Sequence, residues 1–240
     1  GDPFPQVAGA GVARVRAAGI IVDVADGEIA RACRELNVGF FSRVQRGRPW
    51  LRMKIAASLD GRTALHNGRS QWITGPQARA DGHAWRRRAS AVLTGIGTVL
   101  DDNPRLDVRL VPTERQPLRV VVDSRLETPP GARLLAPPGA VLIYGAVDDA
   151  QRQAALAATG AEITFQPGPG GKVDLTAMLA DLARRGTNEL HVEAGHRLNA
   201  SLLREGLVDE LLVYMAPTLL GDARGMADLP ALESLDDASR

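Results

Sequence analysis

The sequence predicts a three-layer α/β protein in which helices cover both faces of a mostly parallel central sheet. Two short apolar runs, VVVD at 120–123 and VLIY at 141–144, lack polar alternation, which is typical of strands buried on both faces. Stretches with helical periodicity alternate with such runs along the chain. Parallel strands joined by crossover helices require this order of elements.

From residue 50 onward, the apolar β-rich runs predict seven strands, at 51–57, 91–94, 118–123, 141–144, 162–165, 189–193 and 207–215. Between them, four segments have the spacing of amphipathic helices, at 76–87, 148–158, 175–185 and 198–204. The strands and helices together form one α/β unit.

Residues 1–47 form a separate small unit in this prediction, with a helix at 12–17, a strand at 20–24 and a helix at 28–43. The segment RGRP at 46–49 follows, and both Gly and Pro discourage a continued helix. We therefore expect a domain boundary here, with domains at 1–47 and 48–240. The start at Gly1 without Met, and an end without a capping element, suggest a segment of a longer chain.

The charge balance argues against a polyanionic partner. The chain has 29 Lys plus Arg and 28 Asp plus Glu, so no global field favours nucleic acid or an anionic membrane. No apolar run approaches the roughly 18 residues of a membrane span, and no signal peptide is evident, so we expect a cytoplasmic protein. The single cysteine, Cys33, excludes an internal disulfide.

The segment HVEAG at 191–195 contains H-x-E, which begins the zinc signature of nucleobase deaminases. That signature also needs two downstream thiolates, and no cysteine follows Glu193, so no metal site is predicted here. In a strand that leads into a helix near His196, Glu193 would lie at the carboxyl end of the sheet. Ligands bind at this edge in open α/β sheets, although a solvated strand end explains the pattern as well.

Two further segments could contact ligands. In LTGIGTVLDDNP at 93–104, a strand leads through glycines into a short helix, which suits either a phosphate site or a plain connection. In KIAASLDGRT and SQWITG, the small residues Ala56 and Ala57 leave room for a flat ring, and Trp72 is either a stacking wall or a core residue. Arg86 and Arg109 could bind a phosphate through paired donors.

Several motifs occur together in one order: KIAASLDGRTA, SQWITGPQAR, LTGIGTVLDDNPRLDVR, RVVVDS, VEAG and LVDELLVYMAPTLLG. From about residue 48 onward, the chain thereby resembles the reductase domain of the bifunctional deaminase-reductase of bacterial riboflavin biosynthesis. Residues 1–47 resemble the last part of that family's deaminase domain, although Phe4 departs from the family's D-P-N-P pattern.

The resemblance implies a fold similar to dihydrofolate reductase with a mixed central sheet. It also implies NADPH as cofactor and a homodimer. The implied reaction reduces 5-amino-6-(5-phosphoribosylamino)uracil to the ribitylamino product, and C1′ of the opened sugar accepts the hydride. The family's zinc site belongs to the deaminase part upstream of Gly1, so deamination is expected only of the full-length parent.

The resemblance also implies roles for individual residues. The positions that match NADP contacts are Ala56, Trp72, Thr98, Asp102, Ser124, Gly195, His196, Arg197, Leu198, Asn199, Ala200 and Ser201. The positions that match substrate contacts are Ser70, Arg86, Leu106, Arg109 and Glu193. The proton donor stays open among Lys54, Asp102, Glu193 and water.

Two other functions remain open. The chain could be another reductase of the dihydrofolate-reductase type that acts on a different pyrimidine or pterin. It could also be a nucleotide-binding fragment without catalytic activity.

Overall fold

The structure is a computed structural model that describes residues 3–4, 7, 9–234 and 236. Gly1, Asp2 and Pro5 of the predicted deaminase tail lie outside the described residues, as does the end of the chain at 237–240. Within the described part, no helix is long and apolar enough to cross a membrane.

A seven-stranded sheet forms the centre of the fold, in the order β6-β5-β4-β3-β7-β1-β8. Its strands are β1 (Trp50–Ser58), β3 (Ala91–Gly95), β4 (Leu118–Val122), β5 (Val141–Gly145), β6 (Glu162–Phe165), β7 (Glu189–Val192) and β8 (Glu210–Ala216). All seven coincide with predicted strands, because each is rich in apolar and β-branched residues that favour a sheet.

Every pairing between the described strands of this sheet is parallel. The mostly parallel sheet predicted from the sequence is therefore confirmed. The antiparallel pairing that a mixed sheet requires does not occur between the described strands of this seven-stranded sheet. Antiparallel pairing occurs in a separate ribbon of β2 (Arg62–Leu65) and β9 (Ala223–Gly225). Crossover connections, most of which contain an α-helix, return the chain to the same end of the sheet between successive strands, which keeps those strands parallel.

The helices along the sheet agree with the predicted ones to within a few residues. They are α4 (Pro76–Arg88), α5 (Ile96–Asp102), α6 (Ala150–Ala157), α7 (Leu175–Arg184) and α8 (His196–Arg204). Pro76 occupies the first turn of α4, where its missing N–H leaves no bond unmade. Asp149 and Asp174 cap α6 and α7 by accepting from backbone N–H groups.

The two faces of the sheet carry separate cores. On one face, Val120 and Leu142 belong to a cluster with Met178 of α7 and Leu202 of α8. On the other face, the adjacent Val121 belongs to a second cluster, together with residues of α5 and α6. The alternation of neighbouring residues between the two clusters produces the three predicted layers.

The predicted strand at 20–24 does not form. This segment has no regular structure, and Ile21 is 89% exposed. An apolar run becomes a strand only where a partner accepts its backbone hydrogen bonds, and no described strand pairs with this one. The strand prediction was therefore wrong.

The predicted helix at 28–43 is two helices, α2 (Gly27–Leu36) and α3 (Val38–Arg46), which follow α1 (Ala10–Ala17). The break is at Asn37, whose side-chain amide donates to the Cys33 carbonyl at 2.9 Å. This bond competes with the backbone hydrogen bond that would continue the helix.

Helix α3 packs directly against the sheet. A Cβ added at Gly39 would lie 2.8 Å from the backbone of Asn188, so only glycine allows this close approach. Asp209, next to the start of β8, accepts from both Arg46 and Arg48. By contrast, α1 and α2 have no buried residue.

Candidate functional site

A cleft of about 360 Å³ opens at the carboxyl ends of β1, β3 and β7. Lys54 and Ala56 on β1 face this cleft, because the alternate residues Met53, Ile55 and Ala57 point into the core. Glu193, directly after β7, also lines it. Parallel strands thus deliver side chains that are distant in sequence to one edge of the sheet.

Arg86 and Glu193 form the best-defined ion pair of the cleft. Nε and Nη2 of Arg86 donate to the two carboxylate oxygens at 2.5 and 2.9 Å. Burial alone would raise the pKa of Glu193, but the positive charge of Arg86 outweighs it and holds that pKa well below 4.5. Glu193 is therefore a carboxylate at neutral pH.

Lys54 lies beside this pair. Its Nζ is 4.0 Å from Oε2 of Glu193 and 5.9 Å from the centre of the Tyr214 ring. The Tyr214 hydroxyl donates to Asp81 of α4. Arg86 and Lys54 thus place two cationic groups beside the Glu193 carboxylate.

Asp102, at the end of α5, has the opposite electrostatic environment. Burial raises its pKa, and the nearby charge of Asp101 adds to this effect. The Ser70 hydroxyl donates to both carboxylate oxygens at 2.9 and 3.1 Å, which lowers the pKa but does not cancel the increase. Of the two carboxyl groups considered as proton donors, Asp102 has a raised pKa and Glu193 has a lowered one.

The segment 105–109 forms another wall of the cleft. Arg109 donates to one oxygen of the Asp107 carboxylate at 2.6 Å, and Arg105 donates to the other at 2.8 Å. The two arginine side chains remain 41% and 43% exposed, so their outer donors are accessible from the cleft. Leu106 is buried with a φ of 54° and turns the chain between them.

Arg86 is less accessible than Arg109. Its side chain is 12% exposed, and it also donates from Nη1 to the Asp107 carbonyl at 2.9 Å. Of the two arginines predicted to bind phosphate, Arg109 has donors accessible from the cleft. Most donors of Arg86 are already bonded to protein acceptors.

Trp72 lies at the mouth of the cleft and is 65% exposed, which excludes a core position. The guanidinium of Arg79 stacks 4.6 Å from the centre of its indole ring. One side of the ring thus has a protein partner, and the role of Trp72 as a stacking wall stays a prediction.

A second cavity, a groove of about 1160 Å³, continues from the cleft along the ends of β3 and β4. Thr98, Gly195 and His196 line both cavities. Gly195 is the N-cap of α8, and no side chain bonds to the first turn of this helix. Free N–H groups at such a helix N-terminus favour an anion.

Every residue predicted to contact substrate or cofactor lines one of the two cavities. Those at the cleft are Lys54, Ala56, Ser70, Trp72, Arg86, Thr98, Asp102, Leu106, Arg109, Glu193, Gly195, His196 and Asn199. Those at the groove are Thr98, Ser124, Gly195, His196, Arg197, Leu198, Ala200 and Ser201.

The sequence interpretation missed other charged residues of the site. Arg224 pairs with Asp101 at 3.0 Å, and both line the two cavities. Arg105 and Arg133 also line the cleft. A signal for Arg105 was present, since it lies between predicted site residues in the quoted segment LDDNPRLDVR.

His191, the first residue of the H-x-E pattern, is fully buried in β7 between β1 and β3. Its Nε2 is 3.5 Å from Oε1 of Glu193, and neither ring nitrogen has a hydrogen-bond partner. Among the residues that the structure describes, no group of three or more His, Cys, Asp or Glu side chains is arranged to hold a metal ion.

Comparison with known proteins identifies similar chains. Residues 49–239 match the family described as the RibD C-terminal domain. The riboflavin biosynthesis protein RibD of Escherichia coli K12 is 42% identical over 250 residues, which cover 99% of this chain and 66% of that protein.

Two solved structures are similar as well. Acinetobacter baumannii RibD superposes with a TM-score of 0.86 at 37% identity, over 100% of this chain and 65% of that one. A diaminohydroxyphosphoribosylaminopyrimidine deaminase/5-amino-6-(5-phosphoribosylamino)uracil reductase from Thermotoga maritima gives 0.77 at 28% identity, over 94% and 60%. The chain thus spans between 60% and 66% of the length of these relatives.

Proposed function

Because the chain belongs to the family of RibD C-terminal domains, we propose that it reduces 5-amino-6-(5-phosphoribosylamino)uracil to its ribitylamino product. The observation that carries this proposal is the junction of two cavities at Thr98 and Gly195. A hydride donor in the groove and a phosphorylated acceptor in the cleft would meet at this junction, as hydride transfer requires.

The residues of the groove fit NADPH. The uncapped N-terminus of α8 suits a pyrophosphate, and Ser124 offers a hydroxyl beyond the end of β4. Ala56 and the exposed face of Trp72 leave space for a flat ring at the cleft end. When bound, NADPH supplies the hydride. The protein residues hold the two ligands in position and exclude water.

The cleft supplies different groups to each part of the substrate. We assign the phosphate to Arg109, and the polar groups of the sugar and pyrimidine to Ser70 and Glu193. Arg86 acts chiefly by fixing the carboxylate of Glu193, since that carboxylate accepts two of its N–H groups. Lys54 lies close enough to Glu193 to contact the same part of the substrate.

We assign the proton donor to Asp102. The closed ribosylamine has no hydride acceptor, so the bond between C1′ and the ring oxygen must break first, and that oxygen then needs a proton. A carboxyl group with a raised pKa can supply it. The substrate nitrogen keeps its proton, and C1′ of the resulting protonated imine is the atom that receives the hydride.

A turnover assay tests the proposed function. We expect loss of NADPH absorbance when the purified chain is mixed with the phosphoribosylamino substrate, and no loss with dihydropterins or with pyrimidines that lack the phosphoribosylamino group. Turnover of one of those instead would support another reductase of the same fold. Binding of NADPH by a folded chain without any turnover would support a nucleotide-binding fragment.

We also propose that residues 1–47 are the last part of a deaminase domain. The support is the exposure of apolar residues in this unit, including Ile21, Ile29 and Leu36, of which each is more than half exposed. Such residues are usually covered by further protein. Deamination, and the zinc that it needs, is not assigned to these 240 residues.

The third proposal concerns assembly. Leu211, Val213 and Met215 alternate along β8 and are between 39% and 58% exposed. Because β8 is the last strand at its end of the described sheet, this apolar row borders a strand edge. We propose that a second copy of the chain covers it in a homodimer.

A further inference from the structure

The predicted function leaves His83 of α4 without a role, although this buried imidazole lies between the two arginines assigned to the substrate site. It is 4% exposed. Its Nδ1 accepts the backbone N–H of Arg109 at 3.1 Å, and its Nε2 is 3.4 Å from Nη1 of Arg86.

The hydrogen-bond pattern assigns the tautomer of His83. Because Nδ1 accepts a bond, the proton of the neutral ring is on Nε2. Nη1 of Arg86 then has no acceptor at His83 and donates instead to the carbonyl of Asp107. The two residues of α4 therefore bind successive parts of the same segment: Arg86 binds at Asp107, and His83 binds at Arg109.

The charges that face His83 keep it neutral. Burial, followed by the positive charges of Arg86 and Arg109, outweighs the attraction of Glu193 and Asp107 and lowers its pKa to about 4. A neutral ring retains the lone pair on Nδ1 at physiological pH. The acceptor for Arg109 is thus permanently available there.

The segment 105–109 has a second anchor on its other side. The Gln116 side chain accepts from the backbone N–H of Val108 at 2.7 Å and donates to its carbonyl at 2.9 Å. The Asp107 carboxylate fixes the Arg109 guanidinium at 2.6 Å. His83 supplies the only hydrogen bond to the backbone N–H of Arg109 among the described residues.

We propose that His83 is a positioning residue for phosphate binding, which it serves by holding the backbone of Arg109 so that the guanidinium faces the cleft. This inference rests on the proposed function, because that function places the substrate phosphate at Arg109. It predicts that the acceptor at the Nδ1 position, rather than the imidazole as such, supports substrate affinity.

Two amide substitutions distinguish the effect of losing the acceptor at Nδ1 from the effect of losing the imidazole ring. His83→Asn puts its side-chain oxygen at the position of Nδ1, whereas His83→Gln reaches the position of Nε2 and leaves Nδ1 without a replacement. We expect His83→Gln to raise the KM for the phosphoribosylamino substrate about tenfold, which is the loss of affinity expected when one hydrogen bond is removed. His83→Asn should restore most of this affinity.

Binding of ribose 5-phosphate by calorimetry gives a readout that does not depend on turnover. We expect the same tenfold loss in His83→Gln, approximate recovery in His83→Asn, and an NADPH affinity close to wild type in both. A normal NADPH affinity also shows that each variant is folded. Equal behaviour of the two variants, or an equal loss of NADPH affinity, would overturn the inference.

The two proposals fail in different ways. If wild type binds ribose 5-phosphate with the expected dependence on His83 but does not reduce the aminouracil substrate, the proposed function fails and the inference on His83 stands. If wild type reduces the substrate and His83→Gln matches it in both KM and ribose 5-phosphate affinity, the inference fails alone. Wild type that neither binds ribose 5-phosphate nor turns over substrate overturns both.

Discussion

At the scale of single residues, the environment of Glu193 and that of Asp102 assign different chemistry to two carboxyl groups in one cleft. Glu193 accepts two N–H groups of Arg86, which stabilise its charge. Asp102 is half-buried, and its partner, Ser70, is neutral. One group therefore binds as an anion, and the other is suited to carry a proton.

The ion pair leads to a prediction about stability. Glu193→Gln keeps the volume of the side chain but leaves the largely buried Arg86 without an anionic partner. We expect the free energy of unfolding to fall by about 3 kcal/mol. Urea-induced unfolding measures this change, and Glu127→Gln at an exposed position should alter it by less than about 0.5 kcal/mol.

The pH dependence of this difference follows from the lowered pKa of Glu193. A carboxylate whose folded-state pKa is depressed stabilises the fold above its ordinary pKa and loses this contribution as the pH falls. The difference in the free energy of unfolding between wild type and Glu193→Gln should therefore be fully present at neutral pH and decrease below pH 4.5. A gap that stays constant on acidification would contradict the assignment.

A second prediction concerns the raised pKa of Asp102. If the protonated carboxyl is the acid, kcat/KM falls as the pH rises through that pKa. Ser70→Ala removes a hydrogen bond that lowers the pKa of Asp102. The descending limb of the plot of kcat/KM against pH should therefore move to higher pH. Asp102→Asn should lose the limb and reduce kcat by roughly 10² to 10⁴. A limb that stays in place in Asp102→Asn would rule out this donor.

At the scale of elements, the connection from β7 to α8 places backbone atoms at the junction of the two cavities. A Cβ added at Gly195 would lie 3.5 Å from the Thr98 hydroxyl, an ordinary contact that the fold can accommodate. The same methyl group would narrow the passage that a cofactor must occupy. Function rather than folding is therefore the sensitive property at this position.

We expect Gly195→Ala to weaken NADPH binding about tenfold or more, because an overpacked contact costs about 1–3 kcal/mol. Its melting temperature should remain that of wild type. Titration of the NADPH fluorescence measures the affinity, and Gly131→Ala provides the matched control, since that Cβ meets no atom within 4 Å. Unchanged affinity in Gly195→Ala would place the cofactor elsewhere.

The sequence predicted elements well where local pattern and tertiary context agree. The seven strands of the central sheet are rich in apolar residues, and each lies in the sheet. The β2–β9 ribbon was missed because Arg62–Leu65 and Ala223–Gly225 are partly polar, and they pair across most of the chain. The strand predicted at 20–24 has the correct composition but no partner.

The candidate site was likewise predicted only in part from the sequence. Motif spacing and family resemblance identified residues that the fold brings together, because they follow strands whose carboxyl ends share one edge. The partners of those residues were not predictable. Nothing in the sequence indicates that Arg86 contacts Glu193 or that His83 contacts Arg109. The first pair forms only when α4 packs beside β7, and the second only when the segment 105–109 packs against α4.

At the scale of the whole molecule, the apolar row on β8 predicts self-association. Val213→Lys, in the centre of this row, would bury a charge in a dimer interface, so we expect a monomer by sedimentation velocity. Leu110→Lys makes the same change at another exposed site and should leave the dimer intact. A dimer that persists in Val213→Lys would exclude β8 from the interface.

The position of β1 has a consequence for how the chain is synthesised. This strand precedes the other six strands of the sheet in the chain, yet its neighbours on either side, β7 and β8, are the last two of the seven. On the ribosome, Leu51, Met53 and Ile55 therefore remain without strand partners until most of the chain has emerged. Such delayed pairing slows folding and exposes the nascent chain to aggregation, so we expect the yield of soluble protein to depend on chaperones that shield β1 during translation.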